Sequence, residues 1–229
     1  MSYARPFVTP SFTAYAGDSQ TKDLSLAVNV VDTFTDLPAA VKLRVLLKER
    51  KQSKAIFNLR GLFCFEEVPD GHYTLVTEPD RVTADWFFLE PAPGDPWPSG
   101  FESKVTLPVK GAQAPLVDVL LAPNPSYPFP PGATLLRGRV THGGANHPAA
   151  GGVVSVDYDQ ADPQDPQHQT VVATIATQTD ADGEYVLFFQ ELPAANQAVT
   201  VVAAFNGQQL QHQANIREGR AVSLPFAFP

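Results

Sequence analysis

Apolar and polar residues alternate with a period of two through most of this chain. Leu24-Ser25-Leu26-Ala27-Val28-Asn29-Val30 and Val41-Lys42-Leu43-Arg44-Val45 make nearly every second side chain large and apolar, the pattern of a strand buried on one face. Similar runs predict strands at 55–59, 62–67, 72–77, 85–89, 104–109 and 116–121. The rhythm resumes at 134–141, 152–158, 170–177, 184–189, 198–205, 208–216 and 221–226. Pro69-Asp70-Gly71, His142-Gly143-Gly144, Asp180-Ala181-Asp182-Gly183, Asn206-Gly207 and Glu218-Gly219 separate these runs with residues suited to turns. No amphipathic run is long enough to predict a helix, and 37–40 and 148–151 read as connecting loops.

One strand signature occurs twice. Gly61-Leu62-Phe63-Cys64-Phe65-Glu66-Glu67-Val68-Pro69 is echoed by Gly183-Glu184-Tyr185-Val186-Leu187, with Leu192-Pro193 following two residues late. A unit repeated at this separation predicts two copies of one small fold. Between them, Ala122 to Gly132 holds five prolines in eleven residues, which predicts an extended, stiff connection. The expected organisation is a diverged β-sandwich at 1–123 with an N-terminal extension, a proline-rich linker at 124–133 and a seven-stranded sandwich at 134–229. The fold class expected is all-β: two tandem Ig-like or prealbumin-like antiparallel β-sandwiches.

Composition narrows the functions. The 22 prolines stand singly or in short clusters between apolar runs, as short strands with rigid turns require. A net charge of −8 with no basic stripe argues against nucleic-acid binding. The run Lys48-Glu49-Arg50-Lys51-Gln52-Ser53-Lys54 reads as a solvated hairpin tip. One cysteine, Cys64, excludes an intrachain disulfide, and its neighbours Glu66 and Glu67 do not favour a thiolate. No apolar stretch reaches the length of a membrane span, and the N-terminal residues carry no export signal. Cytoplasmic residence, with release as part of a particle as the other route, is the expectation.

Chemistry was sought in the spacing of reactive residues. The chain contains no G-x-S-x-G, H-E-x-x-H, C-x-x-C or Walker pattern, so no enzyme, cofactor or metal is expected. His72, His142, His147, His168 and His212 are scattered, mostly beside turns. Asp157, Asp159, Asp162 and Asp165 offer hard oxygens for calcium but lack the glycine and closing glutamate of an EF-hand, so a solvated loop is the expected reading. Aromatic residues stand out instead. Trp86-Phe87-Phe88-Leu89 and Pro96-Trp97-Pro98-Ser99-Gly100-Phe101 flank a proline-rich loop, and consecutive apolar residues on a strand must point to both faces. Trp86, Phe88, Trp97 and Phe101, with Tyr127 and Phe129 of the proline-rich segment, are the expected partner-binding residues. The apolar end, Leu224 to Pro229, is expected to dock on something.

In the second half, Leu135-Leu136-Arg137-Gly138-Arg139-Val140-Thr141, the loop Pro148-Ala149-Ala150-Gly151, the strand Val153-Val154-Ser155-Val156 and Thr179-Asp180-Ala181-Asp182-Gly183-Glu184-Tyr185-Val186-Leu187 follow one another. This order resembles the carboxypeptidase-regulatory-like, prealbumin-like and CnaB-like group of seven-stranded sandwiches over about 95 residues. The first half resembles the group through Gly61 to Pro69 and Asp70-Gly71-His72-Tyr73-Thr74-Leu75. Some members form a Lys–Asn isopeptide bond promoted by an acid four residues after that tyrosine. Thr77 occupies the position here, which argues against the bond. Pro123-Asn124-Pro125-Ser126-Tyr127-Pro128-Phe129-Pro130 between two such domains is also similar to accessory proteins of phage-tail-like contractile injection systems.

The function these readings imply is a non-enzymatic structural or adaptor protein that presents rigid sandwich surfaces, with edge-strand pairing, to protein partners or a larger assembly. The alternative is a carbohydrate-binding module that uses exposed tryptophans. Neither nucleic acid nor membrane insertion is expected.

Overall fold

In a computed structural model, the chain divides into two compact units, Met1–Ala122 and Pro123–Pro229. The structure describes residues 11–16, 18–39, 42–79, 84–92, 95–98, 100–110, 115–144, 147–161 and 170–229. Those residues form an all-β protein built from strands and one short 3-10 turn, Ala84–Trp86. The proline-rich segment expected as a separate linker falls within the second unit.

The first unit contains β1 (Ser11–Ala16), β2 (Asp18–Asp32), β3 (Leu37–Pro38), β4 (Leu43–Leu47), β5 (Ile56–Phe57), β6 (Leu62–Glu66), β7 (Gly71–Pro79), β8 (Phe87–Leu89), β9 (Glu102–Leu107) and β10 (Leu116–Pro123). One sheet runs β5-β6-β2-β10-β8, with β1 and β3 also paired to β2, and the other runs β4-β7-β9. Both sheets contribute buried residues: Leu26, Val28, Leu62, Phe65 and Leu121 from the first, and Val45, Leu47, Leu75 and Val105 from the second.

The second unit contains β11 (Thr134–His142), β12 (Val153–Ala161), β13 (Thr170–Gln178), β14 (Glu184–Phe189), β15 (Asn196–Phe205), β16 (Gln208–Arg217), β17 (Ala221–Ser223) and β18 (Phe226–Phe228). Its sheets run β14-β11-β17, with β18 also on β11, and β13-β12-β15-β16. Leu136, Tyr185, Leu187 and Phe226 from one sheet meet Val154, Val156, Val201 and Ile216 from the other in a single core. The apolar C-terminal residues therefore complete their own sandwich, since Phe226 and Phe228 are buried and β18 pairs with β11.

The two units share a topology. In each, the first long strand has an antiparallel neighbour that follows the repeated glycine (β6 on β2, β14 on β11). On its other side lies a parallel neighbour, the last strand of the unit (β10 on β2, β17 and β18 on β11). The second sheets also correspond, as β4-β7-β9 and β12-β15-β16. The repeat is conformational as well as sequential. Gly61 and Gly183 enter their strands at φ 82° and 74°, while Glu67 and Glu191 leave them at φ 52° and 51°. The left-handed region is open to glycine and rare for glutamate, so each unit has the same turn in and the same strained turn out. Of the two extra residues of the second copy, one lengthens the strand and the other follows it, and the exit is unchanged.

One strand departs from this correspondence. The strand after the second joins the first sheet in one unit (β5 on β6) and the second sheet in the other (β13 on β12). In both places it ends its sheet.

The strand expected at 221–226 is split at Leu224-Pro225 into β17 and the start of β18, which runs on to Phe228. Proline has no N–H for the ladder, so the pairing with β11 breaks there and restarts. The break is anchored. Leu224 N–H donates to Arg137 O at 2.8 Å, and the Leu224 carbonyl accepts from Tyr185 Oη at 2.6 Å. The approach is possible because residue 138 is glycine: a Cβ there would overlap the Leu224 carbonyl and sit 2.7 Å from Cε1 of Tyr185. Gly138→Ala is expected to destabilise the second unit by about 3 kcal/mol, read as a lower urea midpoint. An unchanged midpoint would contradict the close approach.

Burial pushes the Tyr185 hydroxyl far above its ordinary value of 10.0. Below about pH 10 the phenol is neutral in both the folded and unfolded chain, and its contribution is fully present. Above that pH the unfolded chain ionises first, so stability falls as pH rises. Tyr185→Phe is expected to lose about 1 kcal/mol at neutral pH and to flatten the decline above about pH 10. Urea titrations across that range check both effects.

Candidate functional site

The first group of expected partner-binding residues is carried by β8 and the loop after it. Phe87 and Leu89 point into the first unit and are buried, so alternation sends Phe88 to the other face, where it is half-buried. Phe88 meets Trp97 edge to face, with ring centroids 6.3 Å apart and planes at 80°. That geometry matches the negative face and positive edge of aromatic rings and fixes both side chains. Trp86 is half-buried at the end of the 3-10 turn. Phe101 is half-buried and lines a cleft of about 760 Å³ with Val76, Thr77, Pro79 and Pro98.

The second group belongs to the other unit. Tyr127 and Phe129 pack at 4.7 Å, and the Arg137 guanidinium lies 5.3 Å from the Phe129 centroid. Arg137 Nη1 also donates to Pro125 O at 3.3 Å. Buried Asn124 organises the backbone beneath: its Oδ1 accepts from Ser126 N–H at 2.8 Å and its carbonyl from Tyr127 N–H at 3.0 Å. Segment 124–130 is thus a folded turn on β11 rather than an extended spacer. Within each unit the structure brings the expected aromatics into a pair; each pair is a feature of its own unit.

The titratable candidates have other employment. His142 stacks on Phe205 at 5.1 Å and lies 6.0 Å from His147, while His212 stacks on Phe226 at 4.7 Å. His72 Nδ1 contacts Thr106 Oγ1 at 3.0 Å. Among the described residues no group of three His, Cys, Asp or Glu is placed to hold a metal. Asp157 and Asp159 lie on the outer face of ladder strand β12 and not in a loop, and Thr174 Oγ1 donates to Asp157 at 2.6 Å. Asp162, Asp165 and His168 lie outside the described residues. Cys64 is half-buried, and burial, with Glu66 adding repulsion, raises its thiol. Thr77, at the position of the isopeptide acid, is buried and carries no carboxylate. Asn29 meets Asp118 instead of a lysine, donating at 3.1 Å; an amide and a carboxylate hold no amine to form such a bond.

Sequence reasoning missed two exposed apolar sites. In the first unit Ile56, Phe57 and Leu59 are 51%, 64% and fully exposed. Phe57 packs on Phe63 at 4.9 Å and walls a cleft of about 370 Å³ with Val30, Pro38, Lys42 and Leu43. In the second, Val172 on β13 is 71% exposed. Period-two alternation reads 55–59 and 170–177 as ordinary sandwich strands; the available signal was the density of lysine and arginine around the first.

No protein-family model matches the chain, and no curated protein matches it. Solved structures with some likeness include the TIE protein of Bacillus anthracis, at 13% identity over 89% of this chain and 33% of that one, with a TM-score of 0.28. A streptococcal ancillary pilin matches at 11% over 90% and 62%, with a TM-score of 0.29. The shaft pilin SpaA of Lactobacillus rhamnosus GG matches at 10% over 90% and 98%, also at 0.29. This chain thus spans a third of the TIE chain and under two thirds of the ancillary pilin. At these scores the likenesses carry no argument, and the class of the protein, a two-unit all-β sandwich chain, rests on its own sheets and registers.

Proposed function

We propose that this is a non-enzymatic structural or adaptor protein that works by presenting rigid surfaces to protein partners. The observation that carries the reading is the Tyr127–Phe129–Arg137 arrangement: an amphipathic aromatic pair with an arginine over one ring, set on a turn fixed by Asn124. Aromatics and arginine dominate the energetics of protein interfaces, and a pre-ordered turn loses little entropy on binding. Trp97 and Phe88, locked edge to face, form a second surface of the same character. The likeness of segment 123–130 to accessory proteins of contractile injection particles supports such a particle as the larger assembly, with the protein made in the cytoplasm and released as part of it.

Fractionation of native extracts tests the reading. The protein is expected in a large assembly, and Phe129→Ala or Trp97→Ala to release it from that assembly while leaving its circular dichroism unchanged. A native protein found only as a single chain would overturn the proposal. Glycan binding that disappears with Trp97→Ala would favour the carbohydrate module instead.

A further inference from the structure

The exposed apolar corner of the first unit is also its cationic corner. Of the 16 lysines and arginines in the chain, seven lie between residues 42 and 60, against one of the 24 acids. Lys48 is paired with Glu102 at 2.8 Å, but Lys42, which lines one cleft with Phe57, and Lys51 and Lys54, which precede β5 by a few residues, are exposed. The tip is rigid. Asn58 Oδ1 accepts from Arg60 N–H and Leu62 N–H, both at 2.9 Å, and Asn58 O accepts from Gly61 N–H at 3.1 Å. Leu59 is therefore held out in water by a turn that closes beneath it, where a loose loop would have folded the leucine back. A preformed apolar knob within one sign of charge has the anatomy of a docking surface.

The chain carries a matching surface. On β12 and β13, Asp159 stands opposite Val172 and Asp157 opposite Thr174, so all four share the outer face. Asp157, Asp159 and Val172 are exposed. An apolar centre flanked by carboxylates complements an apolar knob flanked by lysines. The two surfaces are built around β5 and β13, the one strand that each unit assigns to a different sheet and leaves at a sheet's end.

We propose that the protein self-associates head to tail, the exposed apolar corner around Leu59 of one copy seating on the outer β12–β13 face of the next. Such a contact is heterologous, because each copy uses one surface of each kind, and it extends into a ring or an open chain. Lysine–aspartate attraction sets register and speeds encounter, and salt weakens it. The proposal stands apart from the aromatic surfaces: either can fail alone.

Sedimentation velocity of the full chain over a wide concentration range tests it. Wild type is expected to form concentration-dependent oligomers, weakened at least about tenfold when salt rises from about 0.05 to about 0.5 M. Leu59→Asp and Val172→Lys alter exposed positions and are each expected to be monomeric with unchanged melting. Mixed together they should form one-to-one dimers and nothing larger, because each retains the surface the other lacks. A wild type that stays monomeric throughout, or a mixture that stays monomeric, would overturn the proposal. So would a 42–60 corner whose charges bind nucleic acid while wild-type oligomers ignore both substitutions.

Discussion

Each sandwich is closed by a parallel pairing between its first long strand and its last. Strand β2 takes β10 with Asn29 beside Asp118, and β11 takes β17 and β18 on either side of the Leu224-Pro225 break. Every other feature is placed by that closure. The pairing brings residues about 85 apart in sequence together, as Thr141 Oγ1 to Phe226 O and Gly219 N–H to Thr134 Oγ1 illustrate. The loop entropy lost is recovered only when the inward faces of both sheets are buried. In the second unit the buried Tyr185 ties the middle of this closure to the strand that follows the repeated glycine, joining first, fourth and last strands at one carbonyl.

Because the closure takes one side of the first long strand and β6 or β14 takes the other, variation is left to the strand after the second. In the first unit β5 is two residues long and sits on β6; in the second β13 is nine residues long and sits on β12. A duplicated fold has thereby acquired two different sheet ends, one basic and one acidic. This is a physical route from duplication to non-equivalent surfaces that needs no change in the core.

Much of the fold was legible in the alternation of large apolar residues, because strands such as β12, which buries Val154, Val156 and Tyr158, and β15, which buries Val199, Val201 and Ala203, bury one face and obey period two. The glycine-to-proline signature was legible too, since Gly61 and Gly183 carry positive φ that the turn requires. Less was legible where tertiary contact overrides local preference. The segment 124–130 looks extended by its prolines, but Asn124 and Arg137, a side chain several residues away, fold it into a turn. The aromatic pairing of Phe88 with Trp97 required the loop's path, which alternation does not encode. The exposure of Ile56, Phe57 and Leu59 in the strand expected at 55–59 was not legible, because hydrophobicity alone does not say whether a partner sheet covers them.

If these non-equivalent sheet ends meet between copies, their lysines and aspartates are in contact across two chains. Zero-length carbodiimide cross-linking of an equal mixture of unlabelled and 15N-labelled chains, read by mass spectrometry, tests it most directly, because this reagent joins only amines and carboxylates already in contact. Links from Lys51 or Lys54 to Asp157 or Asp159 are expected, with half of the linked pairs carrying mixed isotopes. Links confined to like isotopes, or no links between these segments, would contradict it.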